Sequence, residues 1–255
     1  MTSLRATLSL LIQRTPLRWH VPNKISRMDL IQHAVDRLHA VRYLEIGVAD
    51  GTCFCAVRVA EKIGVDPVTP QPAVVRALSE PGVSYHAMTS DEFFAHSAPA
   101  ALAGGVDVVF IDGLHTDDQA YRDCVNALRY LSPGGVILLH DNLPTSAAEA
   151  CPAPTFEEAW RRNGPDWSGL WTGDGWKAMV RVRALHPDAR ACVLDSDHGV
   201  GVVWVAPGGR QVALSSAAID ALAYDDLAAD PRRLLGLRAP AYLDEILDEC
   251  RQRRS

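Results

Sequence analysis

Apolar positions along this chain alternate between two patterns. Short, nearly continuous apolar runs occur at residues 41–46, 63–65, 83–88, 106–111, 136–139, 191–195 and 200–205. Between them, residues 28–38, 53–63, 117–131, 156–162 and 177–185 carry apolar side chains at helical spacing. Short unbroken runs of Val, Ile and Leu suit strands buried on both faces, as in a parallel sheet covered by helices. The alternation therefore predicts an α/β domain. Ser196-Asp197-His198-Gly199 joins the last two runs tightly, so these should form an antiparallel hairpin at one edge of a mixed sheet. Residues 213–250 are again helical in pattern, with breaks at Pro231 and Pro240. No repeat and no linker divides the chain.

The chemistry gathers where strands end. The first run passes into Glu45-Ile46-Gly47-Val48-Ala49-Asp50-Gly51-Thr52, a strand leading into a glycine turn and a helix start. Such a turn builds a ligand crevice at the carboxyl edge of a parallel sheet. Gly47 and Gly51 lack a Cβ and so would leave room for a ligand against the backbone, and Glu45 would meet a cationic amine. Ala49 stands where a dinucleotide fingerprint needs its middle glycine, so a pyrophosphate is not provided for. Asp66 follows Glu45 by 21 residues, the distance at which nucleotide-binding units place an acid for ribose hydroxyls; a turn-forming Asp before Pro67 is the alternative. Ser90-Asp91 begins a helix after the third run, where Ser90 also suits an N-cap. Asp112 and Asp141 end the fourth and fifth runs and would face one crevice. Two carboxylates there repel unless a proton or cation lies between them, which a divalent ion with Asn142 as a further oxygen ligand would supply. Simple strand-end caps are the alternative.

Composition narrows the function. A formal charge of −6 argues against a nucleic-acid partner. No apolar run reaches the length of a membrane span and no secretory signal is evident, so the expected location is cytoplasmic, with the six cysteines as reduced thiols. Residues 143–175 are rich in Pro, Gly and Trp, a lid or substrate loop in which Trp160, Trp167, Trp171 and the following Trp176 should gather.

Glu45-x-Gly47-x-x-x-Gly51, with Phe110-Ile111-Asp112-Gly113-Leu114-His115, Ser132-Pro133-Gly134-Gly135-Val136 and Leu139-His140-Asp141, resembles the bacterial small-molecule O-methyltransferases of class I, akin to the catechol O-methyltransferase type. The resemblance spans about residues 28–206. It implies a Rossmann-like, doubly wound, seven-stranded mixed sheet of order 3-2-1-4-5-7-6 with helices on both faces. Residues 1–27 would be an N-terminal arm and 207–255 a helical C-terminal appendage. S-adenosylmethionine would be the methyl donor. Glu45, Gly47, Gly51 and Thr52 would hold its methionine end, Asp66 its ribose and Ser90-Asp91 its adenine, with Asp112 also beside it. Asp112, Asp141 and Asn142 would bind magnesium. His115 stands where the catechol type has a lysine base, and would with Asp112 act on a hydroxyl of a small-molecule acceptor such as a sugar or natural-product intermediate. The readings left beside this one are metal-independent transfer with His115 as sole base and a non-catalytic donor-binding protein. A homodimer through the terminal segments is a further expectation.

Overall fold

The computed structural model describes residues 25–254. The expected arm at 1–27 lies almost wholly outside the described residues. Seven strands form one sheet in the order β3-β2-β1-β4-β5-β7-β6, as the resemblance implied: β1 Arg42–Ile46, β2 Glu61–Val65, β3 Val83–His86, β4 Val106–Ile111, β5 Leu131–Leu139, β6 Ala189–Leu194 and β7 Val200–Val205. The first five are parallel, and β7 runs antiparallel to both β5 and β6.

Successive side chains on a strand point to opposite faces, and here both faces are apolar. Leu44, Ile46, Val109, Ile111, Ile137 and Leu139 pack on one face against α6 (Asp117–Leu128) and α8 (Trp176–Leu185). Tyr43, Val108, Phe110, Val136 and Leu138 pack on the other against α1 (Arg27–Leu38) and α12 (Tyr242–Gln252). Helix α12, within the expected C-terminal helical segment, buries Leu243, Ile246, Leu247 and Cys250 in that second core. Its i, i+3, i+4 and i+7 apolar spacing provides the stripe.

Three expected elements differ. The helix expected over 53–63 is only α2, Thr52–Ala56. Residues 61–65 pair instead with 42–46 in a five-residue parallel register, and Lys62 turns inward to donate to the Phe54 carbonyl at 3.1 Å. Ladder pairing overrode a helical period that was fortuitous. Ser90 is not the N-cap of its helix. Thr89 is, in a reciprocal capping box with Glu92. Trp176 leaves the loop aromatics and lies in the core at 1% exposure. Phe156, Trp160, Trp167 and Trp171 do gather around α7 (Phe156–Asn163), with ring centroids 5.8–6.5 Å apart along the chain of contacts. No helix of the described residues is long and apolar enough to cross a membrane.

Candidate active site

The carboxyl ends of β1, β2, β4 and β5 open into a cleft with two lobes. The larger, about 470 Å³, is lined by Gly47, Ala49, Asp66, Ser90, Asp91, Asp112, Leu114, Gln119 and Asp123, among others. The smaller, about 290 Å³, is lined by Arg27, Glu45, Gly47, Thr52, Cys53, Asp112, His115, His140 and Asp141, among others. Five non-glycine residues of the described chain have positive φ; two of them, Ala49 and Asp141, line this cleft, and Asp197 and His198 lie against His140 at its edge. Left-handed backbone at such residues persists only where the surroundings hold it, and it concentrates at functional sites.

Both glycines of the first turn permit a close approach within the chain. A Cβ on Gly47, at φ +86°, would lie 2.2 Å from the Asp112 carbonyl oxygen, and one on Gly51 would lie 2.5 Å from Val74 Cγ2. Gly47 thus lets the β1 turn lie directly on the β4 turn and brings Asp112 to the cleft. Gly51 does not line either lobe. Gly47 itself lines both lobes.

Asp66 is 7% exposed, and its carboxylate accepts from the backbone N–H groups of Ala49 at 2.9 Å and Val68 at 2.8 Å. Each oxygen keeps a second lone pair. With Thr89 doing the capping, the Ser90 hydroxyl is available to the cleft. Gln119 on α6 donates to Ser90 Oγ at 3.1 Å and to Asp123 Oδ1 at 2.9 Å. Burial pushes the Asp123 carboxyl up to about 6. Gln119 and Asp123 were not anticipated. They sit on the flank of the α6 apolar stripe, and only the packing of that helix turns them to the cleft.

Glu45 is nearly fully buried and accepts a hydrogen bond from the Tyr43 hydroxyl. Burial raises its pKa from the ordinary 4.5 to about 8. In the unliganded protein at neutral pH it is a mostly protonated acid in a lobe that can take a cation.

At the far end of the smaller lobe, Asp112, His115 and Asp141 converge, with one ligand atom from each within 4.8 Å of the others. His115 Nε2 lies 3.5 Å from Asp112 Oδ1 and 3.4 Å from Asp141 Oδ2. His115 Nδ1 lies 3.1 Å from the Trp171 carbonyl oxygen. A carbonyl only accepts, so Nδ1 carries the proton and Nε2 faces the two carboxylates. Burial alone would lower the pKa of His115, but the bond to Asp112 and the charge of Asp141 outweigh it and raise it. Asp112 is held well below the usual carboxylate range, its burial outweighed by hydrogen bonds from His115 and His140. His140 Nδ1 lies 3.2 Å from Asp141 Oδ1, and its side chain is buried, which suits orienting that carboxylate. The Asn142 amide donates to the Leu139 and His140 carbonyls at 2.9 and 2.8 Å, so its NH₂ is turned into the protein and braces the strand end.

Lys177 and Asp174 are structural in their contacts. Lys177 Nζ donates to the Asp220 carbonyl, and Asp174 accepts from the Asp117 N–H at the start of α6. Beside them Arg181 makes a buried bidentate pair with Asp117 at 2.8 and 2.7 Å.

Residues 44–142 match the model of a family described as a methyltransferase domain. No curated protein matches the sequence. Among solved structures, a candidate O-methyltransferase from Klebsiella pneumoniae is 15% identical, with a TM-score of 0.52 over 79% of this chain and 95% of that one. An O-methyltransferase from Bacillus cereus, solved with S-adenosylhomocysteine, is 15% identical (TM-score 0.46; 78% and 88% covered). The O-methyltransferase TomG from Streptomyces achromogenes, involved in tomaymycin synthesis and solved with S-adenosylmethionine, is 17% identical (TM-score 0.46; 70% and 78% covered). At these identities the likeness is one of fold.

Proposed function

We propose that the chain is a class I methyltransferase, its residues 44–142 matching a methyltransferase-domain model and its sheet having the 3-2-1-4-5-7-6 order, and that it transfers the methyl group of S-adenosylmethionine to a hydroxyl of a small molecule. The observation that carries the O-methyl reading is the convergence of Asp112, His115 and Asp141 beside the cleft, with His115 locked in the tautomer that presents Nε2. Asp66 would accept from the ribose hydroxyls and Ser90, Asp91 and Gln119 would face the adenine. Glu45 would take the methionine ammonium. The sulfonium would then lie near Asp112, and an acceptor hydroxyl beside it would lie within reach of His115. Nε2 would accept the hydroxyl proton as the oxygen attacks the methyl carbon in line and the S–CH3 bond breaks, its electron pair returning to sulfur so that S-adenosylhomocysteine leaves as the neutral thioether, and the two carboxylates would stabilise the imidazolium.

The donors fit a divalent cation. An imidazole lone pair and two carboxylates meeting at 3.4–3.5 Å need a proton or a cation at their centre. Asp112 and Asp141 would hold an ion such as magnesium, which when bound would lower the pKa of the acceptor hydroxyl. His115 cannot use the same lone pair to ligate and to accept a proton. We assign it the proton.

The donor half is tested by calorimetric titration with S-adenosylmethionine. Asp66→Ala should weaken binding about 10- to 100-fold, the worth of hydrogen bonds to a charged acceptor. A wild-type protein that binds no donor ends the reading. The O-methyl half is tested by transfer of a labelled methyl group to a panel of hydroxylated and amino acceptors. Transfer to amines alone would overturn it.

Glu45 adds a second outcome. Placing an ammonium against a carboxyl whose pKa is about 8 drives off its proton. At pH 7 donor binding should therefore release up to about one proton, read from the binding enthalpy in buffers of different ionisation enthalpy. Affinity should rise with pH to about 8 and then level. Glu45→Gln should abolish the release. The same shift acts on folding. The folded protein keeps a proton that the unfolded chain gives up near 4.5, so this group's stabilising contribution is present below that pH and declines as pH rises towards 8.

A further inference from the structure

The smaller lobe supplies an acid for an ammonium and two acids around its far end, yet a methionine moiety also carries a carboxylate. Four backbone N–H groups around the first turn are already engaged. Gly47 N donates to the Val65 carbonyl, Ala49 N to Asp66, Gly51 N to the Val48 carbonyl and Thr52 N to the Asp50 carboxylate. Asp50 itself, exposed at the rim, would repel an incoming anion.

One side chain answers this need. Arg27, the first residue of α1, reaches into the lobe and is the only Arg or Lys among the described residues that line either lobe. Its contacts with the protein are long. Nη1 lies 3.4 Å from His140 Nε2 and 3.5 Å from Asp197 Oδ2, Nε lies 3.8 Å from Asp112 Oδ2, and Nε has no hydrogen-bond partner. A guanidinium usually makes bonds of about 2.7–2.9 Å to a carboxylate, often two at once; this one makes none so short to a carboxylate, and its further partner is the Cys53 thiol. The acids near it have other partners: Asp112 has His115 and His140, and Asp197 has His140.

The position of Arg27 is also built. Its backbone N–H donates to Asp197 Oδ2 at 2.7 Å, and Ser196 Oγ donates to the Ile25 carbonyl. Asp197, His198 and Gly199 are all left-handed, at φ 43°, 62° and 87°. That strained β6–β7 turn holds the start of α1 against the cleft, 170 residues away in sequence.

We propose that Arg27, placed by the Asp197 turn, binds the carboxylate of the methyl donor's methionine moiety, so that Arg27 and Glu45 together recognise an amino-acid zwitterion. This rests on the S-adenosylmethionine reading above. The test compares S-adenosylmethionine with its decarboxylated analogue, which keeps the sulfonium and the ammonium, by calorimetry on wild-type protein, Arg27→Gln and Arg27→Lys, each first checked for folding by thermal unfolding. Wild type should prefer the carboxylated donor about 10- to 100-fold, the worth of charge-assisted hydrogen bonds. Arg27→Gln should lose that preference while binding the decarboxylated analogue as wild type does. Arg27→Lys, which keeps the charge without the fork, should retain part of it and answers the question if the Gln variant does not fold. A preference kept in full by the folded variant places the carboxylate elsewhere, and equal weakening of both ligands makes Arg27 structural; either overturns the proposal. Wild type that binds neither ligand fails the donor reading itself, and the proposal with it.

Discussion

Replacing His115 with alanine is expected to lower methyl transfer by roughly 10²- to 10⁴-fold, the usual worth of a positioned general base, while donor affinity stays within about twofold. His115 lines the smaller lobe near its acidic end, and its contacts run to Asp112, Asp141 and Trp171, of which only Asp112 also lines the larger lobe. The direction of its pKa predicts the pH dependence. A base must be deprotonated to act, and His115 is raised above 6.5, so the rising limb of kcat/KM should lie on the alkaline side of that value. Asp112→Asn removes the hydrogen-bonding acid that raises it and should move the limb down in pH while also lowering the rate. Ion binding separates His115's role from that of the carboxylates. Manganese or magnesium affinity, measured directly without turnover, should survive His115→Ala and fall in Asp112→Ala. Loss of the ion in both variants would make His115 a ligand, and an unchanged rate in His115→Ala would remove it as the base.

How far such a site can be read from residues alone depends on how local its causes are. The buried runs ending in Asp112 and Asp141 were visible because a parallel strand covered on both faces writes an unbroken apolar run, and its terminal acid then stands out. Asp66 was visible for the same reason and through its spacing from Glu45. Arg27 was not. Its sequence neighbourhood reads as the end of an arm, and it reaches the cleft only because Asp197, across the sheet, holds its N–H. Gln119 and Asp123 are polar residues on a helix whose apolar stripe is ordinary; the rotation of α6 against β4 and β5 decides that they face inward. Asn142 stood in the right place to be a ligand, but whether its side chain faces the crevice or the strand depends on the left-handed turn at Asp141, φ +59°, which the residue type does not announce. The false helix over 53–63 has the same origin in reverse. Its apolar spacing serves two elements, with Cys53 and Phe54 of α2 in the second core and Ile63 of β2 in the first, and the strand ladder with β1 settles where β2 lies.

The second large effect is expected at Gly47. Alanine there must adopt φ near +86° and would place a Cβ 2.2 Å from the Asp112 carbonyl oxygen, 2.5 Å from its carbon and 2.7 Å from Gly113 Cα. Left-handed backbone costs an L-residue roughly 1–2 kcal/mol, and overpacking a close contact costs typically about 1–3 kcal/mol more. All three obstacles are backbone, so no side chain can swing aside. The loss of stability should be roughly 2–5 kcal/mol, a large share of the roughly 5–15 kcal/mol available to a domain. Relief can come only by separating the β1 and β4 turns, which are otherwise tied by the Asp112 N–H to the Ile46 carbonyl at 2.8 Å. That separation would draw Asp112 away from His115, so Gly47→Ala should lose methyl transfer even at temperatures where it remains folded. Gly51→Ala is the control. It has a similar φ of +84°, but its nearest obstacle is the Val74 Cγ2 methyl, which can move, and the residue does not line the cleft. Denaturant unfolding of the two variants should rank Gly47→Ala as the more destabilised by at least about 1 kcal/mol, the lower end of the overpacking cost. Equal losses would mean that the left-handed backbone alone sets the cost at both positions. The close seating of the β1 turn on Asp112 would then not be what shapes the reactive end of the cleft.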